Sequence, residues 1–145
     1  MAKINLDNVR GVKTFSVRAE KDIENGELVG VGALLEKEHN LYAAETATAD
    51  NLYLATTPEI DRTSKSSSID HTNKAGSDIR VHSLEKGDIF TVEAKLHAAV
   101  EAGQDVGVVE GQFAPATAEA PAVATVIEKG TIGADAREAI SLRVL

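Results

Sequence analysis

The sequence predicts a compact all-β fold, a small β-barrel or a β-tulip or sandwich, and three observations carry that expectation. Short segments alternate apolar and polar residues with a period of two, β-branched residues are concentrated in them, and turn signals fall between them at 8 to 12 residue spacing. With 145 residues the chain suits one domain. Only 3% of residues are aromatic, so the core has to be built from Val, Leu, Ile and Ala, which bury less area per residue, and extra stability from assembly fits such a core.

The elements follow in order. Residues 1–11 read as an extended N-terminal arm, because Ile4, Leu6 and Val9 sit at neither helical nor clean strand spacing; such an arm reaches roughly 35 Å. Two uses of those apolar residues stand side by side: anchoring on a partner, or covering one end of the domain's own core. The domain proper, 12–145, begins with a half-buried strand, Val12–Ala19. Asn25-Gly26, a pair that tolerates positive φ, turns the chain into a second strand over 27–35. Gly30 and Gly32 share one face of it, where missing side chains admit close backbone approach. Gly30-Val31-Gly32 has neither the third glycine nor the helix of a dinucleotide site.

Segments 40–44 and 51–55 look like the two arms of a hairpin. The polar run 58–78, starting at Pro58, is too long for an ordinary connection, and loops of that length are usually functional or disordered. Strand, turn, strand follows in 79–84, Glu85-Lys86-Gly87-Asp88 and 89–94. Lys86-Gly87-Asp88 spells an adhesion-like tripeptide but reads as a turn. Residues 96–102, ended by Gly103, are the one short helix the composition permits, with continuation of the strand as the alternative. Val106–Val109, a Pro/Ala/Thr segment at 114–122, a strand at 123–127 with a second Glu-Lys-Gly turn at 128–131, and a final strand at 139–145 complete the chain. The apolar end of that last strand predicts that it is tied into a sheet.

Charge and composition then narrow the function. The net charge is −8, yet residues 1–21 carry five basic against two acidic side chains, and the remainder carries ten against 21. A basic leading segment on an acidic body suits docking to another acidic surface and makes nucleic acid a poor partner. There is no cysteine, hence no disulfide, thiolate chemistry or cysteine-bound zinc. No stretch approaches the roughly 18 apolar residues of a membrane span, and no secretory signal opens the chain, so the expectation is synthesis in a cytoplasm and no membrane partner. Ser66 or Ser67, Asp70 and His71 make a triad only on paper, lying in one polar loop without a nucleophile elbow. His39, His71, His82 and His97 show no metal-ligand spacing, and His82 reads as an outward-facing strand residue. The expectation is no enzyme, no cofactor and no metal.

Asn5-Leu6-Asp7-Asn8-Val9-Arg10-Gly11-Val12-Lys13, followed by 19–26, then Leu84-Glu85-Lys86-Gly87-Asp88-Ile89-Phe90-Thr91-Val92 and the closing Ile140–Leu145, resemble the capsid decoration, or cement, proteins of tailed bacteriophages. About two thirds of the chain is covered, and 58–78 is not matched. The resemblance implies a compact β domain on the outside of the capsid that binds the major capsid protein, bridges neighbouring subunits and performs no catalysis. Whether the protein sits there as a trimer, a dimer or a monomer stays open, with a trimeric homo-oligomer preferred. Bridging by many copies makes weak individual contacts sufficient. Length, polarity and charge contrast make the arm and the 58–78 loop the expected contacts, with Ile4, Leu6, Val9, Arg10, Arg62, Lys65, Ile69 and Lys74 as candidates. The alternatives are another virion part (a head fibre base, a connector or a tail-tube subunit), a carbohydrate-binding β module, which the five aromatics disfavour, and a small enzyme.

Overall fold

In a computed structural model the chain is almost entirely β, and the structure describes residues 14–57, 72–133 and 135–145 together with the backbone of 4–8. Eleven strands are present among them: β1 (Ile4–Asn8), β2 (Thr14–Arg18), β3 (Leu28–Glu36), β4 (Leu41–Glu45), β5 (Tyr53–Ala55), β6 (Asp78–Ser83), β7 (Ile89–Glu93), β8 (Asp105–Val109), β9 (Gln112–Pro115), β10 (Ala124–Ile132) and β11 (Arg137–Val144). They form two layers. A closed barrel runs β2-β4-β3-β5-β6, and a six-stranded sheet runs β1-β7-β11-β10-β8-β9. Every pairing is antiparallel except β2 with β4, where Ser16 stands opposite Leu41. The barrel closes through β2 and β6, in register from Thr14–His82 to Arg18–Asp78.

Two cores result, and they meet at β3 and β5. Val17, Ile23, Val29, Ala55, Ile79 and Val81 fill the barrel. Phe90, Val92, Val106, Phe113, Val126, Ile140 and Leu142 lie under the sheet, joined there by Leu28 and Leu54 from the barrel. Leu28 and Leu54 are cross-strand partners, while Val29 and Ala55, one residue further along each strand, belong to the barrel interior. Because successive side chains of a strand point to opposite faces, these short stretches are buried on both sides, which is why they read as unbroken apolar runs. The aromatics divide in the same way. Phe15 meets Tyr42 and Tyr53 edge-on beside the barrel core, and Phe90 packs near Phe113 under the sheet.

Several expectations need correction. Segments 40–44 and 51–55 do not pair with each other, because β3 lies between β4 and β5 and pairs with both. No helix spans 96–102; a single 3₁₀ turn, Ala94–Leu96, is followed by extended chain whose Ala98 N–H goes to the Phe113 carbonyl of β9 at 3.0 Å. A backbone donor spent across the sheet edge is not available for an i−4 bond. Of the two Glu-Lys-Gly segments only the first is a turn. There Gly87 has φ +91° and the buried Asp88 accepts the Glu85 N–H at 2.9 Å. Residues 128–131 continue β10 instead, opposite Ser141 to Glu138, and the reversal comes at Gly133 and Ala136, both with positive φ. The Pro/Ala/Thr segment begins with a strand that composition concealed, β9, joined to β8 by the two-residue turn Glu110-Gly111.

Within the 1–11 arm, the backbone of residues 4–8 forms β1 on the edge of the six-stranded sheet, with Ile4 opposite Val92 and Asn8 opposite Ile89. At the other end of the chain the tie into the sheet is as expected: the Val144 N–H donates to the Asp88 carbonyl and the Leu145 N–H to the Val123 carbonyl.

Candidate functional site

Of the 58–78 segment singled out for partner contact, residues 58–71 lie outside the described residues, and four side chains fix the chain on either side of them. Asn25, fully buried in the Asn25-Gly26 turn, donates its side-chain amide to the Thr57 carbonyl at 2.7 Å and accepts the Thr57 N–H at 3.1 Å. A side-chain amide here stands in for a neighbouring strand. Asn73, on the returning stem, donates to the Ile23 carbonyl at 2.9 Å and to Asn25 Oδ1 at 3.2 Å, and its backbone bridges Ile23 in both directions. Thr57 Oγ1 accepts the Arg80 N–H at 3.0 Å. Asp22 then accepts the Ala75 N–H at 2.9 Å, and Lys74 Nζ lies 3.5 Å from its other oxygen. The Ala75 N–H first, and the Lys74 charge second, hold the Asp22 carboxyl below its ordinary pKa.

The candidate contact residues therefore divide. Lys74 stands exposed at the foot of the loop, paired with Asp22. Ile4 and Leu6 lie in β1, Ile4 in register with Val92 and Leu6 at an irregularity in the ladder. Val9, Arg10, Arg62, Lys65 and Ile69 lie outside the described residues, as do Ser66, Ser67, Asp70 and His71.

Beside the loop stems a cleft of about 250 Å³ opens between barrel and sheet, lined by Glu20, Lys21, Glu27, Glu45, Glu110 and Gln112 among others. Its carboxylates are partly engaged: Glu27 accepts the Glu24 N–H, and Glu45 lies 3.4 Å from the Asn51 amide. Among the described residues no group of three or more His, Asp or Glu side chains is gathered as a metal site. His39 pairs with Glu36 on the surface, and half-buried His82 shares a hydrogen bond with the Thr56 hydroxyl at 2.7 Å, its pKa lowered by burial and then by Arg80.

Sequence reasoning missed Asn51, Asn73 and His97. Asn51 pairs its amide with both backbone groups of Val31 on β3, at 2.9 and 3.0 Å. A Cβ on Gly30 would meet the Thr46 carbonyl at 3.0 Å and the Asn51 amide at 3.1 Å, so the expected close approach at this glycine is present. Each of these side chains bonds backbone distant in sequence, a role without a local spacing signal.

No family model matches the chain, and no curated protein matches it. Among solved structures, the head fiber gp8.5 N base in bacteriophage phi29 aligns over 92% of this chain and 93% of its own, with a TM-score of 0.53 and 12% identity. The chain shares the fold of that fiber base. At this identity the likeness speaks for the path of the backbone, covering barrel and sheet together.

Proposed function

We propose that this chain is a structural component of a tailed-phage head, seated on the outer capsid surface through the major capsid protein and serving as the base of a head appendage. The observation that carries this reading is the end-to-end fold likeness to a head fiber base. An accidental resemblance of one sheet or one hairpin would leave most of each chain unmatched.

The sequence resemblance to cement proteins has a different weight once its residues are placed. In Leu84–Val92, Gly87 supplies a left-handed turn, Asp88 caps that turn, and Phe90 and Val92 are core. The motif is accounted for by folding, so it favours the architecture and leaves the mode of docking open. Simple decoration by many copies is therefore the second reading. In either case the protein acts by binding, without catalysis, through the surface around Thr57 and Asn73, which Asn25 ties together.

A low-resolution particle map or gold labelling of virions from the encoding phage tests this. Signal on the shell with projecting density supports an appendage base, and a continuous layer of copies without projections supports decoration. Signal confined to the tail vertex or absent from the particle overturns a head role.

A further inference from the structure

Phe113 lies on β9, the outermost strand of the six-stranded sheet, and its backbone edge is closed by the 94–100 strap rather than by another strand. The Phe113 N–H donates to His97 Nδ1 at 3.1 Å, and the Phe113 carbonyl accepts the Ala98 N–H at 3.0 Å. The second ring nitrogen, Nε2, lies 3.0 Å from the Gly26 carbonyl in the barrel. One imidazole thus connects the edge of the sheet to the barrel. A backbone N–H can only donate and a carbonyl can only accept, so the ring is the neutral tautomer with its proton on Nε2. Both nitrogens are used, and the ring is buried, 5.0 Å from the Phe113 ring.

We propose that His97 is an acid-operated latch: proton uptake at Nδ1 releases the Phe113 N–H, lifts the 94–100 strap and uncovers the β9 edge while the rest of the sheet stays folded. The added proton converts the sole acceptor facing Phe113 into a donor, so two N–H groups point at each other. It also places a charge where little compensates it. The groove beside the strap carries Glu93, Lys95, Lys129, Arg137 and Glu138, but Glu93 is bound to Arg137 and Lys95, and Lys129 lies 3.5 Å from Glu101. On the barrel side Glu27 is held by the Glu24 N–H, and Glu110 sits in the β8–β9 turn. Burial sets the balance, pushing His97 down to about 4, with the Gly26 carbonyl pulling weakly the other way.

An uncovered β9 edge offers unpaired backbone groups to any extended segment, which native sheets avoid. The strap is a short segment with a single 3₁₀ turn, held besides His97 by the Ala98 N–H and by Ala94 and Val100 packed on the core.

Amide hydrogen exchange followed by NMR between pH 6.5 and 4, corrected for intrinsic exchange, tests the latch in the wild type and in His97→Gln, whose amide can accept from Phe113 and donate to Gly26 without titrating. The opening constant at Phe113 and Ala98 should rise by about 80-fold across this range in the wild type and stay flat in the variant. Its urea dependence should be much weaker than that of Phe90 and Leu142, which marks local opening. Identical pH profiles in both proteins, or equal urea slopes at all four amides at every pH, would overturn the proposal. If His97→Gln does not fold, the urea slopes of the wild type decide alone.

Discussion

Asn73 donates its side-chain amide to Asn25 Oδ1 at 3.2 Å across 48 residues of sequence, and this contact joins the two stems of the 58–71 segment to the turn that starts β3. Asn25 also serves both backbone groups of Thr57. Replacing it with Ala removes the partner of the half-buried Thr57 N–H and carbonyl, at about 1–3 kcal/mol for each such group. Asn25→Ala should therefore lower stability by about 3 kcal/mol, read as a shifted urea midpoint with unchanged slope. Lys74→Ala, which removes only an exposed ion pair, should fall within about 0.5 kcal/mol of wild type.

Two strand glycines should respond oppositely to alanine. A Cβ at Gly107 on β8 would sit 2.3 Å from the Ala120 carbonyl oxygen, whereas one at Gly130 on β10 meets nothing within 4 Å. Backbone has to shift in the first case, so Gly107→Ala should cost about 3 kcal/mol or fail to fold. Gly130→Ala should leave stability unchanged or raise it by about 0.5 kcal/mol, because it restricts only the unfolded chain. Thermal unfolding of the two variants side by side checks both signs.

Glu93 is buried and is held by Arg137 Nη1 at 2.9 Å, with Lys95 at 3.4 Å. Removing the better partner leaves the buried carboxylate to the largely exposed Lys95. Arg137→Ala should cost about 3–5 kcal/mol, while Lys129→Ala, whose partner Glu101 is largely exposed, should cost less than about 0.5 kcal/mol. Denaturation of each single variant measures the contrast.

Stability should also depend on pH through His97. Its pKa falls from 6.5 to about 4 on folding, so between those values the unfolded chain binds more protons than the native one. The contribution is therefore complete above pH 6.5 and is lost as pH falls toward 4, by at most about 3 kcal/mol. Urea unfolding at pH 7 and pH 4.5 should differ in this direction for the wild type and by clearly less for His97→Gln.

The strands were legible where burial is one-sided or continuous. Val17, Ile79, Val81, Phe90 and Val92 stand in the alternation that signals them, and all are core. Legibility ended where tertiary contacts choose between equal local readings. Ala94–Gly103 has helix-forming composition, but Ala98 N–H and the His97 ring are drawn to Phe113, and only the fold brings β9 there. Glu-Lys-Gly appears twice, and the local difference is small: Asp88 caps the first, and β-branched Thr131 continues the second as strand. At the candidate site, Asn25 was visible as a turn former but not as a clamp. Its partners Thr57 and Asn73 are distant in sequence, and no periodicity couples them.

Co-sedimentation of the purified protein with undecorated expanded heads of the encoding phage bears most directly on the central claim of a head-surface protein. The account predicts saturable binding at a fixed number of copies per head, reduced by changes to the loop between Thr57 and Thr72. Protein that stays in the supernatant at all concentrations, while remaining folded, would contradict it.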